Sequence, residues 1–244
     1  MALSSNSLVH LTKEKQSLIG ILTENFKLKY CVEKVLTRVG TLSFAVPMVS
    51  FCDIPLSEIK DHIDKYGSYG IGLTKAWGQD RGLNPVFYVE KNSAISQSYH
   101  EVFNSMFKDK KLKVTDIPEN DAKLLDIFRY MKNYEADLER EEEIQRNYRF
   151  ADEKEWRYVT TKDESYMVIN SKTYLERKAD ANELLKEIRL YFEPKDIKYI
   201  IVKHDHEITE FIDILRRTKK KYAFDDVERL ITRIITTEQI LSDF

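Results

Sequence analysis

Three groups of side chains in this 244-residue chain have types and spacings that suit chemistry. His10 and Thr12 sit two residues apart in the apolar run LVHLT. Alternate residues of a strand share a face, so both side chains can converge on one ligand. Glu153, Glu155 and Arg157 repeat the same spacing in ADEKEWRYVT. If a strand begins near Glu153, all three project to one side, with Trp156 and Tyr158 on the other. A carboxylate beside an arginine can bind a ribose hydroxyl or stabilise a developing cation. Tyr66 and Tyr69 flank a glycine-rich turn, where an aromatic ring can stack on a planar ligand. Four of the seven glycines (Gly67, Gly70, Gly72 and Gly78) fall within twelve residues here.

Each group also has a structural reading. His10 can be a strand histidine that satisfies its own hydrogen bonds. The Glu153–Arg157 stripe can be the solvated face of an edge strand, and Tyr66 and Tyr69 can be core. The GIGL pattern lacks the third glycine and the strand–turn–helix order of a dinucleotide fingerprint. His204, Asp205, His206 and Glu207 are adjacent, so they point in different directions, and no second ligand set lies at metal-site spacing. Cys52 reads as a small buried hydrophobe.

The elements that must position these residues follow from periodicity. Strands are expected at 8–12, 42–46, 48–51, 70–74, 86–89, 156–160, 166–169 and 199–202, with Pro47 interrupting the second and third. Apolar residues at helical spacing predict helices over 14–29, 55–66, 180–189 and 206–217. The segment 92–146 reads as a helical insertion, its charge-laced stretch YEADLEREEEIQRNY included. Asp225 is a plausible N-cap, and the C-terminal part beyond it is ambiguous between helix and strand. Lys219, Lys220, Lys221 and Tyr222 read as a solvated loop. The expected organisation is a single domain over 1–244 with the insertion at 92–146, in an α+β fold with a mixed, largely antiparallel sheet.

Composition excludes several classes. Lys and Arg total 39 against 41 Asp and Glu, so no global charge favours nucleic acid or a membrane surface. The basic cluster Arg216, Arg217 and Lys219–Lys221 is a local exception that can touch phosphate. Two cysteines, Cys31 and Cys52, are too few for a disulfide framework. The N-terminus has no basic-then-apolar signal region, and no run of about 18 apolar residues is present. A reduced, cytoplasmic setting without a membrane partner is expected.

The strings LVHLTKEKQSLIGILTENFKLKYCVE and PMVSFCDIPLSEIKDHIDKYGSYGIGLTKAWGQDRGLNPVFYV closely resemble the AbiGi family of bacterial abortive-infection proteins. The similarity continues through EKEWRYV and EPKDIKYIIV. That resemblance implies a phage-defence role, and an antitoxin-like relation to a nucleotidyltransferase-like toxin called AbiGii.

A more distant resemblance is to the ADP-ribosyltransferase superfamily, in particular its DarT-like branch. It rests on H-x-T in a first strand, S-F near a tyrosine–glycine segment, and a late strand opening with E-x-E. It implies an ADP-ribosyltransferase-like sheet core, with NAD as substrate and no metal. His10, with Thr12 beside it, would hold NAD. Ser50 or Tyr69 would contact the nicotinamide half. Glu155 would bond the nicotinamide ribose and support the oxocarbenium-like transition state, with Glu153 in the preceding acidic position. Two functions follow: transfer of ADP-ribose or cleavage of NAD, on a macromolecular acceptor the residues do not identify; or non-enzymatic restraint of a cognate toxin or other defence protein. Self-association through the exposed faces of helices in 92–107 or 121–134 is a further expectation.

Overall fold

A computed structural model describes residues 5–106, 118–140, 143–160 and 168–243. Internal contacts group the chain into two compact units. The first comprises residues 1–27, 50–83 and 188–244; the second comprises 28–49 and 84–187. Both mix helices with short, largely antiparallel strands.

The first unit is built on the strand Ser7–Thr12. It pairs antiparallel with Tyr69–Thr74 along its length, from Ser7 opposite Thr74 to Thr12 opposite Tyr69. Ile197–Val202 adds antiparallel on the far side of Tyr69–Thr74. Ile234–Thr236 pairs parallel with Ile197–Val202. Val9, Ile59, Ile63, Ile201 and Ile240 form one core. A second is aromatic, with Phe26 against Phe51 at 5.2 Å and Phe192 at 5.4 Å, and Phe51 against Trp77 at 5.5 Å. Gly67 explains part of the glycine cluster. Its φ is +117°, and a Cβ there would lie 2.3 Å from the Thr12 carbonyl oxygen.

The second unit rests on the hairpin Lys29–Thr37 with Gly40–Met48, in register from Thr37–Gly40 to Lys29–Met48. The latter strand runs on to Cys52, so Pro47 does not interrupt it. Tyr30, opposite Pro47, directs its N–H to Asn182 and its carbonyl to Tyr174, away from the proline. The proline's missing donor is therefore not needed by this partner strand. Val35, Leu42, Phe44, Val46, Tyr99, Leu125 and Phe128 make the core.

Other expectations change. The first helix ends at Glu24, because Asn25 turns at φ 67° and the chain becomes extended. A helix, Lys75–Asp80, lies between the strands expected at 70–74 and 86–89, with the Thr74 hydroxyl accepting from the Trp77 N–H. The region 92–146 is not wholly helical. Helices Ala94–Met106 and Glu119–Phe128 precede three strands, Met131–Asn133, Ala136–Arg140 and Glu143–Tyr148. The charge-laced stretch is thus mostly a hairpin, fastened by Asp137 to Arg146 and to the Asn147 N–H. Helices Ser171–Glu176 and Lys178–Leu184 occupy the place of the one expected at 180–189. Ala223 rather than Asp225 takes the N-cap position of the helix Phe224–Ile231. Residues 166 and 167 of the expected 166–169 strand lie outside the described residues.

Candidate functional site

The sequence-selected residues fall into the two units. His10, Thr12, Ser50 and Tyr69 belong to the first, Glu153 and Glu155 to the second.

In the first unit, His10 lies on the Ser7–Thr12 strand and its Nδ1 is 2.8 Å from the Ser50 carbonyl. A carbonyl only accepts, so Nδ1 carries the proton. In the neutral ring, the Nε2 lone pair is then left as an acceptor. The imidazole meets Phe26 edge-on at 5.3 Å and Phe51 at 5.7 Å. Burial lowers its pKa, and the Ser50 hydrogen bond opposes this only in part. The strand register places Thr12 directly opposite Tyr69. The structure therefore brings these four residues to neighbouring strand positions.

Tyr69 is not an open stacking platform. Its hydroxyl donates to Glu207 at 2.9 Å, and burial followed by that carboxylate pushes its pKa up to about 12. Glu207 also accepts from the Lys203 and His204 backbone N–H groups, and Lys15 lies 3.2 Å away. Beside this pair lies an open cleft of about 490 Å³, lined by Lys13, Lys15, Asp64, Gly67, Tyr69 and Lys203 among others. Tyr66 packs on His62 at 5.9 Å. Within the 204–207 cluster the His204 and His206 rings stack at 5.3 Å, while His204 binds Glu238 and Glu207 faces Tyr69. Among the described residues, no group of three or more His, Cys, Asp or Glu could hold a metal.

In the second unit, the strand starts at Glu155, and Glu153 belongs to the short 3-10 turn Phe150–Glu153 before it. Lys154, at φ 44°, makes the left-handed step between them. The stripe is not a solvated edge. Glu153 is 5% exposed, Glu155 6% and Arg157 0%. Arg157 Nε donates to Glu155 at 2.6 Å and its Nη2 at 3.3 Å. Lys132 Nζ donates to Glu155 at 2.8 Å and to Glu153 at 2.9 Å. Arg157 also meets Glu33 at 3.1 Å and donates to the Arg129 carbonyl at 2.9 Å. The Tyr148 hydroxyl donates to Glu153 at 3.0 Å. Lys132 lies over the Phe150 ring at 4.7 Å.

The electrostatics follow from this chain of opposite charges. Burial alone would raise the Glu155 pKa; the charges of Arg157 and then Lys132 override it and hold the carboxyl far below its usual range. Burial would lower Lys132, but Glu155, Glu33 and Glu153 raise it instead. Arg129 is buried beside this network. Its guanidinium binds the Thr160 carbonyl and Asp126, while its Nε has no hydrogen-bond partner among the described residues.

Sequence reasoning missed Lys132, Glu33 and Tyr148. The only signal for them was the electrostatic demand of two buried glutamates, and that demand becomes visible once burial is known.

A family model described as "Putative abortive phage resistance protein AbiGi, antitoxin" matches residues 12–203. The chain is 25% identical over 223 residues to the abortive phage resistance protein AbiGi of Lactococcus lactis subsp. cremoris, covering 82% of this chain and 89% of that protein. No solved structure matches the chain. With most of its length inside the family model, the chain belongs to the AbiGi family.

Proposed function

We propose that this chain acts in abortive anti-phage defence as a non-catalytic restraining partner of a toxin. The family's description as an antitoxin, and the name of the lactococcal relative, support the defence role. The observation that carries the non-catalytic part is the state of Glu155. A carboxylate that stabilises an oxocarbenium ion must offer its charge to substrate. Glu155 offers that charge to Arg157 and Lys132 inside a packed network, and its small exposure leaves little surface for a ribose. A buried carboxylate between two cations is a structural part of the unit.

Exposed apolar side chains supply surface for a partner. Ile95 and Val102 lie on one helix of the second unit, and Leu124 and Ile127 on another. Exposed apolar residues that share a face mark docking surfaces when they are contiguous. The test is co-expression with the product of the neighbouring gene. Binding and rescue of growth support the reading; absence of both rejects it.

A second reading keeps the NAD chemistry and an ADP-ribosyltransferase-like fold, because His10 has a geometry that favours it. A half-buried imidazole with one nitrogen fixed on a backbone carbonyl presents the other as a defined acceptor. In this reading His10, Thr12, Ser50 and Tyr69 hold the cofactor. Nicotinamide release from NAD by wild type, lost in Glu155→Gln, would establish it. Equal silence of both proteins would end it.

A further inference from the structure

The open cleft beside Tyr69 is shaped by the sheet of the first unit. The strand Tyr69–Thr74 runs antiparallel to both of its neighbours, Ser7–Thr12 and Ile197–Val202. Those two strands therefore run parallel to each other and end at the same edge of the sheet, where the middle strand begins. Thr12 stands opposite Tyr69, and Ile201 opposite Gly70. The first residue after each flanking strand is a lysine, Lys13 on one side and Lys203 on the other, and both line the cleft. Two strand separations put their backbones about 10 Å apart. A flexible four-carbon lysine stem reaches inward from either side, so one anion seated over the start of the middle strand can meet both ammonium groups.

Part of the lining is already committed. The Tyr69 hydroxyl is held by Glu207, and Lys15 reaches Glu207 at 3.2 Å and Glu210 at 2.5 Å. Lys13 and Lys203 are exposed, and among the described residues no carboxylate pairs with either. Glu14 and Asp64 also line the cleft, and among the described residues no cation pairs with them. Two open cations and two open carboxylates thus share one cleft of about 490 Å³. For a bare anion, the carboxylates cancel much of the lysines' attraction. A ligand with an anionic group at one end and hydroxyl donors at the other satisfies both signs, because a carboxylate accepts from hydroxyls. The volume falls in the usual range for small-molecule sites.

We propose that this cleft binds a small hydroxylated phosphomonoester, either a phosphosugar or a nucleotide. Lys13 and Lys203 hold the phosphate, and Asp64 accepts from the hydroxyls. The site is independent of both functional readings above: NAD carries no phosphomonoester, and restraint of a toxin requires no small ligand.

The test is calorimetric titration of the full chain, at low salt and near neutral pH, with ribose 5-phosphate, AMP, ribose and inorganic phosphate. Both phosphomonoesters are expected to bind, ribose is not, and inorganic phosphate is expected to bind severalfold more weakly than ribose 5-phosphate. AMP binding tighter than ribose 5-phosphate assigns the site to nucleotides; AMP binding no tighter assigns it to phosphosugars. Replacing both lysines, Lys13→Gln with Lys203→Gln, is expected to weaken both ligands at least about tenfold. Asp64→Asn is expected to weaken ribose 5-phosphate severalfold while inorganic phosphate binds no more weakly, a split that loss of the fold would not produce. No heat from either phosphomonoester at millimolar concentration overturns the proposal. So does ribose or inorganic phosphate binding as tightly as ribose 5-phosphate, or a double variant that binds like wild type.

Discussion

At the scale of single residues, the surroundings of Glu155 decide between a structural and a catalytic carboxylate. Removing one partner of a buried ion pair strands the other and costs about 3–5 kcal/mol. Lys132→Met should therefore lower the urea midpoint of the second unit strongly, since it leaves Glu153 and Glu155 short of a cation. The pH dependence has a definite sign. The native Glu155 pKa lies below the unfolded value of about 4.3, so its contribution is complete above that pH and is lost as pH falls from there through the lower native pKa. Glu155→Gln should flatten the acid limb of a stability–pH curve below about pH 5. His10 behaves as a base with a lowered pKa, so stability should also decline as pH drops below about 6.5. Nitrogen NMR should find its ring protonated at Nδ1 at neutral pH. The Glu155–Arg157 pairing was legible because strand periodicity is local, whereas Glu153 joins it from the turn before the strand. Lys132 was not, because it arrives from another strand and its role exists only after packing.

At the scale of elements, period-2 and period-3.6 patterns located most strands and helices, and the failures share a cause. The stretch around YEADLEREEEIQRNY is rich in helix formers, yet cross-strand pairing between Ala136–Arg140 and Glu143–Tyr148 decides its form. Cross-strand pairing overrode helix propensity there. Pro47 looked like a strand breaker because its partner's hydrogen-bond phase cannot be read from sequence. Two elements can be tested by small changes. The Asn133 side chain accepts from the Leu36 N–H at 2.7 Å and donates to the Leu36 carbonyl at 2.9 Å, closing one end of the strand Lys29–Thr37. Asn133→Ala should cost about 2–4 kcal/mol in chemical denaturation, since two backbone groups lose their partners. Gly67→Ala should destabilise the first unit by about 2–4 kcal/mol, because the residue needs positive φ and the added Cβ meets the Thr12 carbonyl.

At the scale of the whole molecule, the chain order interleaves the two units, which the sequence does not mark with any linker. Among the described residues, no helix is long and apolar enough to cross a membrane. Exposed apolar side chains concentrate in the second unit, with Phe87, Ile95, Ile127, Ile144 and Leu175 there against Tyr191, Phe224 and Leu241 in the first. Surface charge at Ile95 or Ile127 should leave the melting temperature nearly unchanged and weaken partner capture at least tenfold. The most direct measurement is bacterial growth when this chain is expressed alone and together with the product of the neighbouring gene, the toxin of the proposed reading. A restraining partner should be harmless alone, should restore growth in the presence of the toxin, and should leave cellular NAD constant. Growth arrest by the chain alone, with NAD falling in wild type but not in Glu155→Gln, would contradict that role.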